Sequence, residues 1–278
     1  MSRIWTLLTV AAALLAPVAL RAQTNDSPLP SLQTVLAHAA EAVAREDFYH
    51  DILNTRYVYE RTRVSETRTS RGKLKDREEK FNTNNPPLEL ACQPVPPYRP
   101  PTAAEAAAAR ERKKKQLVDV TDLVTNVLAY SRMQIVGREM VNGRSALVVD
   151  FLPPAKRIRE RDLMDRIVNR TAGRAWVDEE DYTLTRLQAH LVDRLLLFAG
   201  FGAILNGNYS FDRERTPEGV WYSRDTSYEA NVREFILYRN LTYHEAFTNV
   251  CRPQPARLAA IRSPARTTPV YEEGSTTR

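Results

Sequence analysis

Met133-Gln-Ile-Val-Gly-Arg-Glu-Met-Val141, then Asn142-Gly143, then Arg144-Ser-Ala-Leu-Val-Val-Asp-Phe151 is the stretch that decides the fold. Period-two patterning on both sides marks strands over Met133–Val141 and Ser145–Phe151. Asn-Gly between them is the strongest short hairpin signal, because both central residues of such a turn need positive φ. Working outward, strand patterns recur at Arg174–Val177, Thr183–Val192, Asn208–Arg213, Val220–Tyr228 and Glu234–Thr248, with Glu218-Gly219 as a turn between two of them. Toward the N-terminus, a strand runs from Tyr57 to about Thr69, turns at Arg71-Gly72 and returns over Lys73–Phe81. Short connections between about nine strands imply a mostly antiparallel sheet.

Helical patterns flank these strands. Ser31 can cap a helix from Leu32 to about Arg45, in which Leu32, Val35, Leu36, Ala39 and Val43 recur at helical spacing. Pro86–Pro101 holds seven prolines, which predicts no regular structure. Thr102 and Glu105 then stand at capping-box spacing before an alanine-rich helix with no apolar face. From Leu117 a stripe of Leu117, Val120, Val124, Val127 and Leu128 predicts a buried helix ending near Tyr130. The segment around Leu163–Ile167 reads as a short helix or a loop. The fold class expected is α+β.

Domain organisation follows from composition. Arg3, the apolar run Ile4–Leu20 and the small residue Ala22 are the three parts of a secretory signal, so residues 1–22 are expected to be cleaved. Pro17 interrupts that run, which is already short for a membrane span. Residues 23–30 read as a linker and 31–252 as one domain carrying a Pro/Ala-rich insertion at about 86–116. Residues 253–278 read as a disordered tail. The formal charge of +6 falls to +4 without residues 1–22, which hold Arg3, Arg21 and no acid. The basic run Arg110–Lys115 has no interleaved aromatics and reads as a solvated helix face, so no nucleic-acid partner is expected. Cys92 and Cys251, an even pair in an exported chain, predict a disulfide.

A search for chemistry finds no catalytic constellation. His38, His50, His190 and His244 stand at no metal-ligand spacing from one another or from a cysteine. His244-Glu245 opens like a zinc-protease helix, but Thr248 occupies the second histidine's place. There is no Gly-x-Ser-x-Gly elbow, and Gly200-Phe201-Gly202 lacks the third glycine of a dinucleotide loop, since Leu205 stands there. Asp178-Glu179-Glu180-Asp181 reads as a solvated turn rather than a calcium loop. No enzyme, cofactor or metal site is expected. A binding surface remains, with inward candidates such as Leu147, Val149, Phe151, Leu187, Ala189, Leu191, Tyr209, Phe211, Phe235, Leu237 and Phe247. Leu195–Leu205 is the most apolar part of the chain after the signal and reads as a connection. It is expected to be either a permanent plug or a lid or membrane-contacting tip over an acyl-binding cavity, with Leu196, Phe198, Phe201 and Ile204 as contact residues.

The order of elements, with Ile135-Val136-Gly137-Arg138-Glu139, Asn142-Gly143-Arg144, Val148-Val149-Asp150-Phe151, Gly173-Arg174-Ala175-Trp176-Val177-Asp178 and Leu184-Thr185-Arg186-Leu187-Gln188-Ala189, resembles the periplasmic outer-membrane lipoprotein carrier superfamily, which includes related envelope-stress sensors. The resemblance spans roughly Leu32–Cys251. It implies a large antiparallel sheet curved into an unclosed β-barrel, with helices covering the concave apolar face. It also implies a periplasmic location and an acyl chain or lipidated protein as partner, or an envelope membrane protein. Three functions stay open: a carrier of acyl chains, a sensor or interaction module on the same fold, and an enzyme whose site is assembled from distant residues.

Overall fold

The computed structural model describes residues 28–102, 104, 105, 129–197 and 201–253. The expected signal, the expected helical stripe from Leu117 to Leu128, Phe198, Gly200 and nearly all of the expected tail lie outside these residues. Pro28–Pro30 precede the compact body, which begins at Ser31.

In chain order the elements are α1 (Leu32–Val43), α2 (Glu46–Arg56), β1 (Val58–Thr69), β2 (Leu74–Asn84), α3 (Leu88–Ala91), β3 (Arg132–Val141), β4 (Arg144–Leu152), α4 (Leu163–Val168), β5 (Thr171–Asp178), β6 (Leu184–Leu191), β7 (Leu195–Leu197), β8 (Gly202–Arg215), β9 (Trp221–Glu234) and β10 (Leu237–Cys251). The strands form one antiparallel sheet in the order β2-β1-β10-β9-β8-β6-β5-β4-β3, with β7 paired to β8 alone. Its ends, β2 and β3, do not pair with each other, so this is an unclosed α+β sheet. The N-terminal hairpin reaches its place by pairing β1 with the last strand.

Local chemistry explains the turns. Asn142 and Gly143 take φ of 51° and 78°, the pair of left-handed residues that the hairpin between β3 and β4 requires. Ser31 caps α1 by accepting from the Thr34 N–H, and Asp162 caps α4 in the same way toward Asp165.

Two helices cover one face of the sheet. Val35 of α1 packs against Leu147, Val149 and Val177 of β4 and β5. Ile52 and Leu53 of α2 pack with Tyr57, Tyr59 and Val220, joined by Tyr222 and Phe247. By contrast, β2 is exposed along nearly its whole length, and its charged residues guard an edge strand against pairing with another chain.

The structure corrects several expectations. Leu195–Leu205 is not a connection: Leu195↔Ile204, Leu196↔Ala203 and Leu197↔Gly202 pair as a hairpin. The expected strand Glu234–Thr248 begins instead at a turn, because β9 runs on to Glu234 and reverses at Phe235-Ile236. No turn residue announces that reversal, and Phe235 accepts a φ of 55° to make it. Phe235 and Leu237, expected to face inward, are exposed. The proline-rich segment is not wholly outside the core. Four non-proline residues suffice for α3, Ala91 is fully buried, and Val95 packs against the α2 cluster. The Thr102–Glu105 capping box does form, with Glu105 accepting from the Thr102 N–H at 2.8 Å.

The expected disulfide is absent, since Cys92 and Cys251 are both exposed free thiols. Their two segments are joined by other means: the Arg252 guanidinium donates to the Ala91 carbonyl at 2.7 Å and also to that of Gln93.

Asp178–Asp181 is a turn that is solvated at Glu180 but buried at Asp178. Asp178 is 1% exposed and accepts from Arg144 at 2.6 and 2.8 Å and from the backbone N–H groups of Glu180 and Asp181. Burial pushes its carboxyl pKa up, but the Arg144 fork and those N–H groups outweigh it and hold the group below the usual carboxylate range.

Candidate apolar binding cavity

Antiparallel register places rows of side chains across the inner face. One row reads Met133, Phe151, Gly173, Ala189, Tyr209, Tyr228, Tyr243, Ser65 from β3 to β1. The neighbouring row reads Ile135, Val149, Ala175, Leu187, Phe211, Thr226, Glu245, Arg63. Each row begins apolar and ends polar, so the apolar face belongs to β3–β9.

Within that face the strands carry small residues where a filled core would carry large ones. Ala175 on β5, Ala189 on β6, Gly207 on β8 and Ala230 on β9 offer at most one methyl each, and Ala39 of α1 faces them. Interiors normally pack without voids larger than a water molecule. Here the small residues leave a cavity of about 240 Å³ between α1 and the sheet. Its wall is completed by Val35, Leu36 and Val43 of α1, by Met133, Val149, Phe151, Leu187 and Leu191, and by Leu195 and Ile204 of the β7–β8 hairpin. Six adjacent strands span about 24 Å when flat, so contact of all six with one such cavity requires a curled sheet. At Gly173 the sheet has no room for a side chain. A Cβ there would lie 2.1 Å from the Gln188 carbonyl oxygen and 2.8 Å from the Phe151 ring, so only glycine fits beneath that ring.

The cavity exceeds the ~150 Å³ at which an apolar void stays dry and admits a benzene-sized guest, and it lies just below the ~300–1,000 Å³ of small-molecule pockets. Polar groups sit at its margin. Glu46 is engaged by both terminal nitrogens of Arg213. Tyr182 stacks on His38 with ring centroids 4.6 Å apart. Burial raises the Tyr209 phenol above its ordinary pKa, so it stays neutral. Tyr228 of the cavity wall stacks on Tyr243 at 5.0 Å, and the Tyr243 hydroxyl donates to Glu245, which Arg61 and Arg63 also hold. Among the described residues, no three His, Cys, Asp or Glu side chains converge as a metal ion would require. The acidic residues of the Asp178–Asp181 turn are each engaged: Glu179 by Arg138 and Ser145, Glu180 by Arg144, and Asp181 by the Trp221 indole N–H.

The residues singled out from sequence are divided by their hairpin. Ile204 points into the cavity beside fully buried Leu195, whereas Leu196 and Phe201 are exposed. Phe198 lies outside the described residues. The reasoning from sequence missed Ala175, Gly207 and Ala230. A signal for them existed, since small residues at inward positions of otherwise apolar strands mark space left unfilled. It also missed Ile236.

No family model matches the chain, and no curated protein matches it in sequence. Among solved structures it is similar to an outer membrane lipoprotein-sorting protein domain from Vibrio parahaemolyticus, at 8% identity over 80% of this chain and 94% of that one, with a TM-score of 0.32. A lipoprotein-sorting domain thus stands among the similar structures. The chain is also similar to a DUF1329 family protein from Desulfovibrio piger, at 12% identity over 79% of this chain and 94% of that one, TM-score 0.30. A third is the MucA/MucB complex of Pseudomonas aeruginosa, at 10% identity over 76% of this chain and 99% of that one, TM-score 0.21. At such identities and TM-scores these structures carry no argument about ligand or activity, which rests on the cavity. Among the described residues no helix is long and apolar enough to cross a membrane.

Proposed function

We propose that the chain is an exported, non-catalytic periplasmic protein that holds an acyl chain, free or attached to a lipidated protein, in the cavity beneath α1. One observation carries this reading: Ala39, Ala175, Ala189, Gly207 and Ala230 converge where a filled core would place larger side chains, and the space they leave is walled almost wholly by carbon. Such space favours a flexible hydrocarbon guest, which gains about 0.8 kcal/mol for each CH₂ removed from water. An enzyme would instead gather titratable groups whose pKa values are set for proton transfer. Here Glu46, a carboxylate beside the cavity, is neutralised by Arg213.

The test is native mass spectrometry of protein purified from an envelope fraction, followed by titration with a fluorescent fatty-acyl probe. A co-purified lipid or saturable probe binding at 1:1 stoichiometry is expected. Protein that carries no lipid and binds no probe would sink the carrier reading and leave an interaction module on the same fold.

A further inference from the structure

Two hairpins end side by side at the cavity's β7–β8 end. Gly202 pairs with Glu234, and the Phe235 N–H donates to the Phe201 carbonyl at 2.8 Å. The rings of Phe201 and Phe235 meet at 5.7 Å. Neither ring is buried by this contact. Phe201 is 62% exposed, Phe235 71% and Ile236 86%, and Leu196, Leu237 and Tyr238 are exposed around them. Large apolar side chains scattered singly over a surface need no explanation, but a contiguous cluster at the apex of two hairpins does.

Folding does not account for it. The reversal at Phe235-Ile236 uses an aromatic residue at φ 55°, where asparagine or glycine would sit without strain. Thus an unfavourable turn residue is presented to water with no core contact that compensates. Strain of this kind, held in an exposed apolar segment, points to use rather than stability.

The setting identifies the occupant. The cluster sits where β9 reverses into β10, and Phe235 and Ile236 are the most exposed of its side chains. Basic residues lie near it: Arg194 and Arg239 are close to it in the chain, Arg233 stands one residue before the end of β9, the Arg166 guanidinium donates to the Leu196 carbonyl at 3.2 Å, Arg157 pairs with Asp193, and Arg239 pairs with Glu234 at 3.1 Å. Against these five arginines stand Asp193 and Glu234. Apolar and aromatic side chains at an apex, ringed by arginine, match the boundary between anionic headgroups and acyl chains. The same hairpin that exposes Leu196 and Phe201 also sends Leu195 and Ile204 into the cavity wall, so the apex and the cavity share one element.

We infer that Phe201, Phe235 and Ile236 form a membrane-inserting apex that seats the β7–β8 end of the cavity on an anionic lipid surface. Docking is a property of the apex and does not depend on what the cavity holds. Its use in loading or releasing an acyl chain rests on the function proposed above.

The experiment is co-sedimentation of the exported protein with vesicles of phosphatidylethanolamine and phosphatidylglycerol at 3:1, and with phosphatidylcholine vesicles, at low and high salt. Wild-type protein is expected to partition onto the phosphatidylglycerol vesicles and to be partly released by salt. Phe235→Ser with Ile236→Ser is expected to weaken partition at least about tenfold. The thermal midpoint should not move, because both side chains are exposed. As a second readout, an environment-sensitive dye on Ile236→Cys, in a background with Cys92→Ser and Cys251→Ser, should brighten on vesicles, whereas the same dye at Gly72→Cys should not. Acyl-probe binding measured without vesicles should survive Phe235→Ser/Ile236→Ser, so loss of the apex and loss of the cavity read out separately. Equal partition of wild type and variant, or no partition at low salt, overturns the inference. So does a wild-type dimer that the two substitutions convert to monomer, which would make the apex a contact between copies.

Discussion

Ala175→Leu tests whether the space beneath α1 is empty and used. Ala175 lies on β5 between Val149 and Leu187 and faces the cavity. Leucine adds three carbons, and at about 0.8 kcal/mol for each buried CH₂ the gain is at most about 2.4 kcal/mol. Fixing a leucine rotamer costs roughly 0.5–1 kcal/mol, which leaves about 1.5 kcal/mol of net stabilisation. For a domain of this size that raises the thermal midpoint by roughly 3–6 °C. The added carbons occupy space an acyl chain would use, so probe affinity should fall at least about tenfold, or 1.4 kcal/mol. Differential scanning fluorimetry and probe titration measure the two effects on one preparation. A lower midpoint would mean that the space is already filled, since overpacking a complete core costs about 1–3 kcal/mol. A higher midpoint with unchanged probe affinity would show that the cavity exists but is not the binding site. Either result refutes the reasoning.

Other consequences can be checked in the same preparations. Gly173→Ala should destabilise by about 2–3 kcal/mol, because its Cβ would collide with the Gln188 backbone carbonyl, which cannot rotate away. Gly207→Ala should stay within about 1 kcal/mol of wild type, since its nearest neighbours would be at ordinary contact distances of 3.5 Å or more; urea melts of the two variants compare them. Removing the buried carboxylate with Asp178→Ala should cost roughly 3 kcal/mol, because Arg144 and two backbone N–H groups lose their acceptor. The folded-state pKa of Asp178 is lowered, so its stabilisation is present above the unfolded-state carboxylate pKa and is lost as pH falls through the folded one. Acid denaturation should therefore be shallower in the Asp178→Ala variant. N-terminal sequencing of envelope protein should read from Gln23; Met1 retained in a soluble cytoplasmic pool would contradict export.

Much of the sheet was legible because its information is local. Asn142-Gly143 specifies a hairpin through two residues that tolerate positive φ, and alternation then sends successive side chains of each strand to opposite faces of the sheet, interrupted only by the bulge between Ile135 and Gly137. Ser31 and Thr102 announce helix starts for the same reason: a cap is satisfied within four residues. The turn at Phe235-Ile236 escaped because it contains no turn residue. It is imposed by the long pairing of β9 with β10, and pairing energy spread over two long strands outweighs one unfavourable φ.

The cavity belongs to tertiary structure. Ala175, Ala189, Gly207 and Ala230 lie on four strands, and as single residues each is an ordinary small side chain. Only register brings them to one place, and only the curl of the sheet beneath α1 turns their shared smallness into a cavity. The apolar run Leu195–Leu205 was conspicuous by composition, but composition does not say which of its side chains face a cavity and which face water. The pairing of Leu195 with Ile204 and of Leu196 with Ala203 decided that, because neighbours along a strand must point to opposite faces.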